Sequence, residues 1–154
     1  MSEQERIAKE RDPRATEMMR ELIEANEAWR KELAVERQLQ QVILNLLRNA
    51  ADAMVGVDHG PRQLLIRTER DEGDRVRLTV QDVGVGLEPH VMDKLFQAFF
   101  TTKSSGMGVG LSVSRSIIEK HGGRLWGEPN DGPGATFAFS IPRDPAPATG
   151  AVPV

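Results

Sequence analysis

Apolar residues fall at three different spacings along this chain, and each spacing predicts a different element. Ala15, Met19, Leu22, Asn26, Trp29 and Leu33 recur at alternating intervals of four and three. That is a short heptad-like stripe on a helix. From about Glu36 to Val55, the apolar positions Leu39, Val42, Ile43, Leu46, Leu47 and Ala50 predict a helix that is apolar around most of its circumference. Beyond it the period drops to two. A strand is expected over QLLIRTER (63–70) and another over RVRLTVQD (75–82), separated by a turn at 71–74. In the second strand Val76, Leu78 and Val80 share one face, and Arg75, Arg77, Thr79 and Gln81 the other. A short helix follows from about Pro89 to Phe96, then a helix over 109–120 that stops at Gly122–Gly123. Strand 124–128, a turn at PNDGPG and strand ATFAFSIP close the pattern. Amphipathic strands need one covered face, so the fold class is α/β, a two-layer α/β sandwich.

Three regions separate: a charged helical arm at 1–34, a domain at 35–142, and a Pro/Ala-rich segment at 143–154 expected to be a disordered tail. The arm's stripe suits two readings, packing on its own domain or a self-association seam that makes a homodimer through the N-terminal helix. With 154 residues there is room for one compact domain plus an arm. The net charge of −3 gives no electrostatic case for nucleic acid. No apolar run reaches the roughly 18 residues of a membrane segment. The charged N-terminus shows no signal peptide. The absence of cysteine excludes disulfide and thiolate chemistry and fits a cytoplasmic location.

Candidate chemistry clusters in three places. On the second helix, Asn45, Asn49 and Asp52 fall on one side. Burying an unpaired amide costs about 1–3 kcal/mol, so this stripe faces either water or a ligand. An amide oxygen suits Mg²⁺, which keeps several waters and bridges phosphates. Asp82 ends a strand and meets Gly84 and Gly86. A carboxylate there either caps a turn or accepts a hydrogen bond from a ligand amine that the glycines let approach. Finally, Thr101, Thr102 and Lys103 precede Gly106, Gly108 and Gly110, in a run that opens the helix expected over 109–120 and continues to Leu111. Successive N–H groups at a helix start form an anion site, and the same glycines also suit a hinge. The spacing is neither the Walker loop nor the dinucleotide fingerprint.

In this order, the motifs resemble the ATP-binding catalytic domain of sensor histidine kinases, a branch of the superfamily shared with gyrase, the ninety-kilodalton heat-shock chaperone and MutL. NLLRNAADAM is similar to the asparagine box, DVGVGL to the first glycine box, KLFQAFFTTK to the phenylalanine box, and GMGVGLSVSRSIIEKHGG to the second glycine box. GATFAFSIP is similar to the closing strand motif, so the likeness spans about residues 38–142. It implies a Bergerat-type fold with ATP and Mg²⁺ as cofactors. Asn49 would hold the metal and Asn45 would support the triphosphate. Asp82 would take the adenine amine, in a pocket shaped by Gly84 and Gly86. Thr102, Lys103, Gly106, Gly108, Gly110 and Leu111 would hold phosphates under a lid, expected to be the most mobile part from Gln97 to Met107. Phe96, Phe99 and Phe100 would anchor it. The γ-phosphate would pass to a histidine-bearing phosphoacceptor domain and, downstream, to a response regulator.

Two departures refine this picture. Hydrolysing relatives carry a general-base Glu four residues before the metal Asn, where this chain has Asn45, which takes no proton from water. Family members also place a phosphoacceptor helix with a His-Glu or His-Asp pair, and then a strand or two, ahead of the asparagine box. Here His59, His90 and His121 are each followed by a non-acidic residue. The expectation is a catalytic domain that acts on a separate acceptor. The alternatives are a nucleotide-binding regulatory module that transfers no phosphate, and a slow ATPase.

Overall fold

The computed structural model describes residues 13–58, 60–102 and 108–143. Lys103, Gly106, His59 and the expected tail beyond 143 lie outside the described residues. By its internal packing the chain forms two units, 1–38 and 39–154. Helix α1 spans Pro13–Met54, so the two helices expected on either side of residue 35 are one. Nothing in the sequence there breaks a helix, and Pro13 stands at the first helical position, where its missing N–H costs nothing. In the first unit Met18, Met19, Leu22, Ile23 and Trp29 are all exposed.

The second unit is a four-stranded antiparallel sheet, in the order β1 (Leu64–Asp71), β2 (Arg75–Asp82), β4 (Ala135–Pro142), β3 (Arg124–Pro129). Between β2 and β3 run a single helical turn, α2 (Pro89–Met92), and α3 (Gly110–Lys120). Val42, Leu46 and Ala50 of α1 and Ile117 and Ile118 of α3 bury against Leu78, Val80, Leu125, Phe137 and Phe139 of the sheet. This is the expected two-layer arrangement: period-3.6 stripes laid on a period-2 face. Helix α3 ends as its sequence foretold. The Gly123 N–H reaches the Ile118 carbonyl (2.9 Å) and the Gly122 N–H that of Glu119 (3.0 Å), satisfying the last carbonyls.

The uncovered face departs from simple alternation. Ala138 and Ser140 are buried although they lie on the side expected to be wet. Long side chains roof them. Arg75 donates to the Ser140 hydroxyl (3.0 Å), the Ser140 carbonyl (3.0 Å) and the Gly122 carbonyl (3.1 Å). Trp126 is paired in register with Ala138, and the guanidinium groups of Arg77 (5.5 Å) and Arg124 (5.4 Å) both lie over its ring.

The Asp71 carboxylate anchors the β1–β2 corner of this face. The Ser140 hydroxyl, the Glu72 N–H and the Arg77 guanidinium (2.7 Å) favour its ionised form, and against partial burial they hold its pKa below the ordinary 3.8. A lowered folded-state pKa contributes stability that is present above the unfolded value and lost as pH falls through the folded one. Asp71→Asn is therefore expected to lower the melting temperature at neutral pH. The gap to the parent chain should close as pH drops below 3.8. Thermal unfolding across that range checks it, and a gap that is constant with pH would contradict the assignment.

Candidate functional site

Three chain segments converge on the end of β2. The period-2 pattern puts Asp82 on the same face as Leu78 and Val80, so its carboxylate is turned into the core, only 2% exposed. A buried charge needs partners. Oδ1 accepts the N–H of Gly84 (2.8 Å), two residues on, and that of Ala135 (3.3 Å) at the start of β4. Oδ2 makes no hydrogen bond among the described residues, yet no fully enclosed polar atom there lacks a partner. Oδ2 is thus not fully enclosed and has acceptor capacity left for a further donor.

The first glycine loop is fixed by close approach. The Val85 N–H donates to the Ala53 carbonyl in the last turn of α1 (3.0 Å). A Cβ on Gly84 would stand 2.5 Å from that same carbonyl oxygen, so only glycine lets the loop seat on the helix. Gly86 has φ +77° and faces the Gly134 carbonyl. The β3–β4 turn closes the other side. Gly134 has φ +94°, and a side chain there would collide with the Asp82 carbonyl.

The helix stripe divides in two. The Asn45 amide donates to the Ser114 hydroxyl (3.1 Å) and the Gly110 carbonyl (3.4 Å), and Ser114 is fully buried. Asn45 therefore ties α1 to the first turn of α3. Asn49, one turn on, is half-buried, and Asp52 is exposed. Helix α3 begins after Val109, and among the described residues no side chain caps its leading N–H groups. The Gly110 backbone borders open space, whereas the Leu111 side chain packs on the core. Gly108 has a different role: its carbonyl accepts the Phe99 N–H (2.9 Å), and a Cβ would strike the Phe99 and Phe100 backbone. Thr102 is exposed.

Of the three phenylalanines expected as anchors, two pack. Phe96 lies under the Arg115 guanidinium (5.4 Å) and Phe100 against the core. Phe99 does not. Its backbone is left-handed (φ +67°) and its ring is 78% exposed. Among the histidines, His90 is exposed beside Glu88 (3.3 Å) and His121 caps α3. Sequence reasoning missed Ser114, Asn130 and Thr136. The only available signal was an asparagine inside the PNDGPG turn, a residue that often bonds nearby backbone.

Residues 34–145 match the family model described as histidine kinase-, DNA gyrase B-, and HSP90-like ATPase. The chain is 50% identical over 110 residues to the sensor protein FixL of Bradyrhizobium diazoefficiens, a match covering 71% of this chain and 21% of FixL. It superposes on the nucleotide-free catalytic domain of the histidine kinase ThkA with a TM-score of 0.59 at 37% identity, covering 69% of this chain and 66% of that one. It also superposes on full-length ShkA in complex with AMPPNP, with a TM-score of 0.58 at 30% identity, covering 68% of this chain and 21% of that one. The chain thus spans about a fifth of the length of FixL and of ShkA.

The two glycine loops should respond differently to an added methyl. Gly84→Ala forces Ala53 and the loop apart and is expected to cost about 1–3 kcal/mol, as overpacking does. Gly110→Ala meets open space without a positive φ, so stability should hold or rise by up to about 1 kcal/mol from helix propensity. Urea unfolding of both variants measures this, and equal losses would contradict the seating of the first loop.

Proposed function

We propose a reaction for this chain on the premise that it belongs to the histidine kinase-, DNA gyrase B-, and HSP90-like ATPase family, as a sensor histidine kinase catalytic, ATP-binding domain. It binds ATP with Mg²⁺ in the cleft at the end of β2 and passes the γ-phosphate to a histidine on a separate phosphoacceptor domain, from which a response regulator takes it. The observation that carries this reading is Asp82: a buried carboxylate with both of its described hydrogen bonds on one oxygen, which leaves the other for a further donor. An anionic acceptor fits the adenine amine and opposes the guanine carbonyl.

Each remaining residue takes a role that its surroundings allow. Gly84 and Gly86 keep the base pocket's wall at backbone thickness. The uncapped start of α3, with Gly108, Gly110 and Leu111, offers N–H groups to phosphate oxygens. For Thr102, Lys103 and Gly106 the phosphate role rests on the sequence motif alone. Asn49, a hard oxygen donor on α1, fits the Mg²⁺, whose charge would offset that of the phosphates. Asn45 works by holding α1 against α3, which sets the metal side relative to the phosphate side.

In the transfer, the bond from the γ-phosphorus to the bridging oxygen breaks as the acceptor imidazole nitrogen bonds to phosphorus, and ADP leaves. A neutral imidazole is already nucleophilic, so positioning and charge neutralisation supply most of the rate. Water is a poorer nucleophile and needs a base, and Asn45, with its amide engaged by α3, is none. ATP hydrolysis should therefore be slow. ThkA is also known in complex with the response regulator TrrA, which supports the downstream step by analogy.

Isothermal calorimetry should find ATP bound in preference to GTP. Asp82→Ala should weaken ATP by about 10- to 100-fold, the loss of one charge-assisted hydrogen bond. With labelled ATP, the chain alone should stay unlabelled, while an added histidine-bearing acceptor domain becomes labelled, and Asn49→Ala should abolish that transfer. ATP binding with no acceptor labelled would favour a regulatory module, and rapid hydrolysis an ATPase. The exposed stripe of α1, with Asn26 among Leu22, Trp29 and Leu33, supports dimerisation through the arm. Light scattering should report a concentration-dependent dimer that Trp29→Ala weakens. A monomer at every concentration would count against it.

A further inference from the structure

The Asp82 carboxylate is not held by β2 alone. Its second N–H donor belongs to Ala135, 53 residues away, at the end of the β3–β4 turn. Where that N–H stands depends on how the turn from Pro129 to Gly134 sits against β2. One side chain governs this. The Asn130 amide donates to the Asp82 carbonyl (2.9 Å) and to the Pro133 carbonyl (3.0 Å). Its oxygen accepts the Thr136 hydroxyl (2.6 Å), and its backbone N–H donates to the Gly134 carbonyl (3.2 Å). Asn130 thus uses both ends of its amide. It grips the main chain of the proposed adenine-binding residue, the far side of its own turn, and the residue after Ala135.

Geometry makes this grip matter. Gly134 is pressed so closely on the Asp82 carbonyl that no side chain fits between them. Two carbonyl oxygens, those of Asp82 and Pro133, face the same small region and repel unless a donor stands between them. The Asn130 NH₂ is that donor, with one N–H for each carbonyl on a single nitrogen. A shift of the turn would carry the Ala135 N–H away from Oδ1 and let the carboxylate rotate.

We infer that Asn130 is a positioning residue for base recognition: through the Asp82 carbonyl and the Ala135 N–H it fixes the direction in which the free carboxylate oxygen points. This rests on the assignment of Asp82 to the adenine amine. Asn130 spends its amide on the Asp82 and Pro133 carbonyls and the Thr136 hydroxyl, so in this reading it acts through Asp82 and not on the base or the phosphates. Its loss should therefore weaken recognition of the base and spare that of the triphosphate.

The test is a graded series on the full chain. Calorimetry would use Mg–ATP, Mg–GTP and inorganic triphosphate with Mg²⁺, alongside thermal unfolding of each variant. Asn130→Ala should weaken ATP by about three- to ten-fold, the equivalent of one hydrogen bond. It should leave GTP and inorganic triphosphate unchanged, so the ATP-to-GTP ratio falls. Asn130→Asp is nearly isosteric, but sets an oxygen against two carbonyls, and should do no better than alanine. Thr136→Val removes only the outer bond and keeps the grip on Asp82, so its loss should be smaller, about two- to three-fold. It also keeps the series readable if the Asn130 variants unfold. A purely structural turn would lower the melting temperature while leaving the ATP-to-GTP ratio of the folded protein intact, and that result overturns the inference. So does an Asn130→Asp protein that binds as the parent does. Asp82→Ala is the reference: if it too leaves the ratio unchanged, the adenine assignment fails and the role of Asn130 falls with it. A changed ratio in Asp82→Ala with an unchanged one in both Asn130→Ala and Thr136→Val refutes Asn130 alone.

Discussion

A carboxylate buried at a strand end must be paid for in hydrogen bonds, and that requirement organises this domain. Asp82 takes one N–H from its own loop and one from the start of β4, so a single oxygen fixes two segments that are far apart in sequence. Each bond to a charged acceptor contributes about 1.5–3 kcal/mol, and losing one would leave the charge underserved. The glycines around it follow from the same need. Gly84 must pass close to Ala53, and Gly134 close to the Asp82 carbonyl, because the segments that carry the donors cannot stand further off.

The helical layer answers to a second constraint. A polar stripe that borders the buried face of a helix has to be satisfied. The chain does this unevenly. Asn45 is consumed by Ser114 and Gly110, which joins α1 to α3 across the core. Asn49 and Asp52 lie further toward the end of the helix, half-buried and exposed in turn. One stripe thus supplies both a structural tie and candidate ligand groups, and the tie holds the others at a fixed distance from the α3 start.

The opposite face of the sheet shows how little extra hydrophobicity such a domain needs. Arginine stems and a tryptophan ring that carries two guanidinium groups cover Ala138 and Ser140. The charged heads keep their partners in Asp71 and the backbone carbonyls of Gly122 and Ser140. Covering that face with long amphipathic chains removes apolar area from water while leaving the charges hydrated or paired.

The sequence by itself determined the element order, the strand faces of β2 and β4, the glycine stop of α3 and the two-layer class. These depend on local periodicity and backbone freedom, which are written in neighbouring residues. It also marked Asp82, Asn45, Asn49 and the two glycine runs as candidates, because residues of those types are costly or unusual where they fall. Tertiary structure decided the rest. Only packing shows that the Asn45 amide nitrogen donates to Ser114, that Phe99 is turned outward by a left-handed backbone, and that Asn130 reaches the Asp82 carbonyl across 48 positions. The continuity of α1 through residue 35 was likewise hidden, since a change of stripe looks the same whether or not the helix stops. Hydrogen bonds between distant segments leave no periodic trace in a chain. They exist only once the sheet has brought their ends together.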